Sequence, residues 1–193
     1  PRVLMYHMVR EHIKGAKFNK LRVTPAEFEK QVAWMKADGF HFVTMQELQA
    51  NWGKHPEKTV AITFDDGYLD NLEHAFPILE KYQAKATIYV VVDRHDRDWS
   101  TYKKAHHNSG ELAREPKLSD VQVQQLAHSG LVEIASHTLT HANLDKLDDT
   151  QCFMELSESK QKLEELTAQP VTSFAYPFGI YSQRDVKIAK QVG

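Results

Sequence analysis

Short apolar, β-branched runs alternate with segments of helical period along this chain. Arg2 to Tyr6 reads as a first strand. Thr24-Pro25 opens a helix as N-cap and first-turn proline, Gly39 closes it, and Phe28, Val32 and Met35 fall on one face. Phe40 to Met45 reads as a second strand, Met45 to Trp52 as a short helix and Thr59 to Phe64 as a third strand. Asn71 to Tyr82 has helical character, with Pro77 predicting a kink or break. Ala86 to Val92 is a fourth strand. Ser119-Asp120 caps a helix that ends at Gly130, and Leu131 to Ser136 is a fifth strand. Asp148 to Leu166 is a long amphipathic helix with Phe153, Leu156, Lys160 and Leu163 near the helical repeat. Val171 to Tyr176 reads as a sixth strand and Gln183 to Val192 as a last helix, Gly193 sitting where a C-cap would, with further sequence expected beyond it. Strand-then-helix repetition predicts an α/β fold: a distorted, incomplete (β/α)7-type barrel with its chemistry at the C-terminal ends of the strands.

Two stretches break the pattern in a useful way. Thr63-Phe64-Asp65-Asp66-Gly67 puts two adjacent carboxylates at the end of an apolar run, and His137-Thr138-Leu139-Thr140-His141 puts two imidazoles four residues apart just after another. Either alone has an ordinary reading, a solvated Asp-Asp-Gly turn or a pair of surface histidines. Together, at the mouth of one barrel, Asp66, His137 and His141 would surround one point. A carboxylate and two imidazoles suffice to hold a catalytic divalent ion with an open position, and a spare carboxylate could serve as base. Phe174-Ala175-Tyr176-Pro177-Phe178-Gly179 reads as a sharp turn whose backbone could offer an oxyanion donor, or as a plain strand-to-helix turn. Tyr6-His7 ends the first strand, where His7 could be an acid or base or a bonded core residue. Tyr68, Trp99, Tyr176, Phe178 and Tyr181 lie in or near these loops, as packing or as faces for sugar rings. Asp93 to Lys117, with His95, His106 and His107, is a long polar segment expected beside the active-site mouth and mobile.

Composition narrows the class without naming the chemistry. The chain has 193 residues, 41% hydrophobic and 26% charged, which fits one domain with a sizeable core. A net charge of −2 favours neither nucleic acid nor an anionic membrane as partner. Cys152 is the lone cysteine, so no intrachain disulfide forms. No apolar run approaches the roughly 20 residues of a membrane span.

The three motifs, Thr63 to Gly67, His137 to His141 and Phe174 to Gly179, resemble those of the polysaccharide deacetylase family, the NodB homology domain or carbohydrate esterase family 4, over residues 1–193. The resemblance implies hydrolysis of N-acetyl groups from an amino-sugar polysaccharide or glycan precursor by metal-activated water. It implies a divalent metal, most commonly Zn²⁺ with Ni²⁺ or Co²⁺ as alternatives, on Asp66, His137 and His141. Asp65 would be the general base, the Phe178 N–H an oxyanion donor, and Tyr176 and Tyr68 substrate contacts. The family's arginine early in the third motif is Ala175 here, and its late Leu-x-His motif is missing. Asp96-Arg97-Asp98-Trp99 resembles the family's Asp-x-x-Asp-Trp motif, one residue short and out of place. Val3-Leu4-Met5-Tyr6-His7, Phe28 to Met35 and Phe40 to Thr44 are similar to a permuted subgroup, the poly-β-1,6-N-acetylglucosamine deacetylases, which makes His7 the expected general acid; the expected compartment is the periplasm or cell surface, with the cytoplasm as the alternative. The competing expectations are a non-catalytic carbohydrate-binding barrel and a metal amidohydrolase acting on a non-sugar amide.

Overall fold

The computed structural model describes residues 1–99 and 110–193. Its centre is β5 (Thr59–Asp66), buried over its whole length, as expected of a strand covered on both faces. On one side it pairs in parallel with β1 (Arg2–Tyr6); on the other it pairs with β4 (His41–Val43) at its start and β6 (Ala86–Val90) at its end. β6 then pairs with β7 (Val132–Ser136), again in parallel. Every strand of this sheet therefore points the same way, and β1, β5, β6 and β7 end toward one rim, β4 stopping short of it opposite Ala61. A second small parallel pair, β2 (Met8–Val9) and β3 (Arg22–Val23), lies just beyond β1. Neither was anticipated, because two-residue strands carry no period.

Local signals set the helices. α1 (Pro25–Ala37) starts where the Thr24 hydroxyl accepts from the Glu27 N–H, and it buries Phe28, Val32 and Met35 as the spacing predicts. Capping boxes at Thr44/Glu47, Ser119/Gln122, Asp148/Gln151 and Ser182/Asp185 start α2 (Met45–Ala50), α5 (Asp120–Ala127), α6 (Asp149–Thr167) and α7 (Gln183–Val192). At Pro77 the helical run changes from a π-helical turn to an α-helix without a gap, Ala75 and Phe76 both keeping right-handed helical angles. Asn71–Ala75 is a π-turn and α3 (Phe76–Tyr82) begins after it, with Pro77 in the first turn where its missing N–H costs nothing. The short α4 (Glu111–Arg114) interrupts the segment expected to be irregular.

Two expectations are corrected. The sixth strand is a single parallel bridge, Ser136 to Phe174: Ser136 N–H reaches the Ser173 carbonyl and Ala175 N–H the Ser136 carbonyl before Pro177 turns the chain away. The buried stripe of α6 is Cys152, Leu156, Ser159, Leu163 and Thr167, which leaves Phe153 on the exposed flank. The small Ser159 faces β7, its hydroxyl 2.8 Å from that of Ser136, while Cys152 packs with Leu144 and Ile188. The main core runs between the sheet and α1, α3, α5 and α6, through Phe28, Val32, Ile62, Phe64, Ile88, Leu126, Ile134 and Leu163.

Candidate active site

β5 extends two residues further than its apolar run, so both carboxylates belong to the strand. Alternation would send neighbours to opposite faces. Asp66 escapes it with a left-handed backbone, φ 78°, followed by Gly67 at φ 79°, and both carboxylates line the same cleft. Thr138 (φ 70°), His141 (φ 61°) and Phe178 (φ 61°) share this strained region. Four of the seven non-glycine left-handed residues among those described thus gather at one rim, the distribution expected where a site over-determines its backbone.

Asp66 Oδ1 lies 3.3 Å from Nε2 of His137 and 3.3 Å from Nε2 of His141. All three residues are buried, and this oxygen has no hydrogen-bond partner. Metal bonds of about 2.0–2.2 Å at tetrahedral angles set ligand atoms about 3.3–3.5 Å apart, so the spacing fits one ion. The His137 tautomer agrees: a carbonyl only accepts, so Nδ1, 3.0 Å from the Ala175 oxygen, carries the proton and leaves the Nε2 lone pair facing Asp66. Burial pushes the Asp66 carboxyl up, but the two imidazoles outweigh it and hold it well below the usual range. Burial pushes His137 down, and the two aspartates and the Ala175 carbonyl outweigh that and raise it. Burial lowers His141. The pocket thus presents a buried negative charge between two imidazoles, which suits a cation.

Asp65 stands beside this triad. Burial, reinforced by Asp66, raises its carboxyl against the pull of His137 and His7. His7, just past β1, acts electrostatically on both Asp65 and His141, and with them it lines a cleft of about 510 Å³. Phe178 and Tyr176 form another part of the wall, Phe178 with its ring edge-on to His141 at 4.6 Å.

A family model for polysaccharide deacetylase matches residues 53–193. The chain belongs to the polysaccharide deacetylase family. It is 34% identical over 194 residues to YxkH of Bacillus subtilis, a protein that carries a polysaccharide deacetylase name, covering 99% of this chain and 61% of that one. It is 28% identical over 210 residues to the poly-β-1,6-N-acetyl-D-glucosamine N-deacetylase of Staphylococcus epidermidis, covering 98% and 68%. Its fold matches the crystal structure of a polysaccharide deacetylase from Bacillus cereus with a TM-score of 0.81 at 32% identity, over 99% of this chain and 55% of that one. The chain therefore spans about three fifths of the length of YxkH (61%). No described helix is long and apolar enough to cross a membrane.

This deacetylase-family cleft also contains side chains that the sequence left open between packing and a sugar-facing role, or did not single out at all. Trp99, in the motif dismissed as misplaced, is buried with its ring 5.0 Å from His141 and inclined 30° to it. Leu112 and Met5 line the cleft as well. Lys117 is buried, its ammonium over the rings of Trp99 (5.0 Å) and Tyr68 (5.6 Å). Tyr68 departs from expectation. It is only 1% exposed and does not line the cleft; its ring lies 6.5 Å from that of Trp99, its hydroxyl faces Asp66, and its backbone pairs with Lys117. Ala175 keeps a place in the site through its carbonyl. Of the described residues between Asp93 and Lys117, Trp99 and Leu112 line the cleft. In the same segment Glu111 accepts from the Lys17 and Phe18 N–H groups, and Glu115 pairs with Arg10 and buried Arg22, so its C-terminal part is anchored. His106 and His107 lie outside the described residues.

Proposed function

We propose that this chain is a metal-dependent N-deacetylase acting on an N-acetylated amino-sugar polysaccharide of the poly-β-1,6-N-acetylglucosamine kind, with residues 1–193 forming its deacetylase domain. The observation that carries the reading is the unpartnered Asp66 Oδ1, 3.3 Å from two imidazole nitrogens, in a cleft that also holds Asp65 and His7. Asp66, His137 and His141 would hold the ion, Zn²⁺ by the chemistry of one carboxylate and two imidazoles. Bound there, it supplies Lewis-acid polarisation of the acetyl carbonyl and lowers the pKa of water.

The chain's own groups do the rest. Asp65, raised by burial, takes the proton of the attacking water. The Phe178 N–H, in the turn held against His141, faces the developing oxyanion. His7 gives its proton to the amine nitrogen as the C–N bond breaks, because an amine leaves poorly as an anion. Tyr176 walls the acetyl-bearing sugar, and Trp99 shields the His141 side from water. Tyr68 contributes from outside the cleft, its ring 6.5 Å from that of Trp99. A polymeric glycan of this kind places the work at the cell envelope.

The test is acetate release by the zinc-loaded protein from β-1,6-linked N-acetylglucosamine oligomers, with metal content measured on the same preparation. Stoichiometric zinc with acetate release supports the reading. Zinc and tight oligomer binding without acetate release would favour a carbohydrate-binding barrel. Release of a carboxylic acid from simple amides alone would favour a non-sugar amidohydrolase.

A further inference from the structure

Tyr68 enters the core two residues after Asp66, and the turn that carries it is clamped by the segment before α5. The Leu118 N–H donates to the Gly67 carbonyl at 3.0 Å and the Leu69 N–H to the Pro116 carbonyl at 2.9 Å, with Tyr68 and Lys117 bridged antiparallel between them. Asp66 and Gly67 both have left-handed backbones, which curl the chain as it leaves β5. The Tyr68 ring then lies 6.5 Å from that of Trp99, whose own ring is 5.0 Å from His141. The Lys117 ammonium sits over both rings, 5.0 Å from Trp99 and 5.6 Å from Tyr68, and donates to the Leu112 and Ala113 carbonyls.

This phenol is 1% exposed, where a phenylalanine ring would pack as well, and its hydroxyl makes no hydrogen bond with a described group. The buried Trp99 indole N–H is in the same condition. A polar atom buried without a partner costs stability, so its presence asks for a task. The Tyr68 hydroxyl faces both the Asp66 carboxylate and the Trp99 indole. An indole N–H only donates, a carboxylate only accepts and a phenol does both, which leaves one arrangement. Trp99 is turned to donate to Tyr68, and Tyr68 to donate to Asp66. The buried Lys117 charge attracts the same carboxylate.

We propose that Tyr68 is a positioning residue for the metal ligand Asp66: its hydroxyl, oriented by Trp99 and Lys117, holds the carboxylate in the attitude in which it meets His137 and His141, and so sets how tightly the site holds its ion. The proposal rests on the metal-site reading above. It gives Tyr68, which does not line the cleft, a role toward the ion and none toward the glycan. Outer partners of ligating side chains typically account for about 10–100-fold in metal affinity.

The test reads binding and not turnover. Zinc affinity is measured by competition with a chromogenic chelator on wild type, Tyr68→Phe and His141→Ala, and the unfolding temperature of each is measured with chelator in excess. Tyr68→Phe should bind zinc about 10–100-fold more weakly than wild type and shift the visible absorption bands of the Co²⁺-loaded protein. Its metal-free unfolding temperature should stay within about 3 °C of wild type. Wild-type zinc affinity or an unaltered cobalt spectrum in Tyr68→Phe would overturn the proposal. A fall in affinity matched by a fall in metal-free stability, the mark of a packing role, would also overturn it. Wild type that binds no zinc, or His141→Ala that binds it as wild type does, would remove the metal-site reading and the proposal with it. Stoichiometric zinc that is lost in His141→Ala and unaltered in Tyr68→Phe would remove the proposal alone.

Discussion

The side-chain amide of Asn71 donates to the main-chain carbonyl of His7 at 2.9 Å, joining positions 64 residues apart in the chain. Around this bond, Asp70 Oδ1 accepts from the Val9 N–H at 3.0 Å and His74 Nδ1 donates to the Val9 carbonyl at 2.7 Å. The chain leaving β1 is thus gripped, from His7 to Val9, by the turn that follows Asp65 and Asp66. On the reading proposed above, the turn that follows Asp65 and Asp66 thus also positions His7.

Asn71→Ala is expected to release His7 without touching the metal. Asn71 is fully buried, so the change should cost about 1–3 kcal/mol of stability. Turnover should fall through kcat more than KM, with zinc content at wild-type level, and the limb of the pH–rate profile that reports the acid should shift. Loss of zinc in step with turnover would mean that Asn71 serves the fold and not His7.

The adjacent aspartates should separate cleanly. Asp65→Asn removes a base and leaves the triad intact, so zinc should remain while turnover drops by about 10²–10⁴. Asp66→Asn removes the charge that faces both imidazoles and should weaken zinc binding by at least an order of magnitude, read by competition with a chromogenic chelator. Equal zinc loss in both variants would reverse the assignment of the pair.

Much of this site was legible because its groups follow strands that reveal themselves by composition. β5 and β7 contain apolar runs that the eye finds; Asp65 and Asp66 are the last residues of β5, and His137 follows β7. The parts that were not legible depend on backbone angles or on distant partners. The left-handed angle of Asp66 turns a pair that should point apart into a pair that shares a cleft, and no periodicity encodes it. Trp99 meets His141 only after the chain folds back, so its motif looked misplaced in one dimension. The sixth strand failed because β-branched residues near 171–172 do not by themselves supply a hydrogen-bonding neighbour beyond β7. Phe153 falls near the helical repeat by spacing, but the stripe of α6 that packs inward runs through Cys152, Leu156, Ser159 and Leu163. The family resemblance, rather than local sequence, singled out His7, and parallel topology explains how a first-strand residue reaches the rim.

His7→Ala should leave fold and zinc intact and lower kcat by about 10²–10⁴, the usual weight of general acid catalysis. Its pH–rate profile should lose or shift the basic limb. The loss should be smaller on a substrate whose leaving group needs no proton, such as an activated acetate ester, because the acid is then idle. Near wild-type turnover with an unchanged basic limb would remove His7 from the mechanism.

Asp70 makes a pH-dependent prediction about stability that is independent of zinc. Burial raises its carboxyl to about 6, against the opposing pull of the Val9 N–H, Arg10 and His74. A carboxyl that binds its proton more tightly when folded makes the folded state most favourable at low pH. Its contribution is intact below the unfolded value near 3.9, shrinks as pH rises toward 6, and is gone above that. The two-unit difference corresponds to about 3 kcal/mol at most. Asp70→Asn keeps an oxygen for the Val9 N–H and removes the ionisation. Its stability relative to wild type, measured by urea unfolding of the metal-free proteins, should therefore climb between pH 4 and pH 7, by about 1–3 kcal/mol, and level off above. A difference that stays constant across that window would show that Asp70 ionises in the folded protein as freely as in the unfolded chain, and that the grip on Val9 is made by a carboxylate already charged at pH 4.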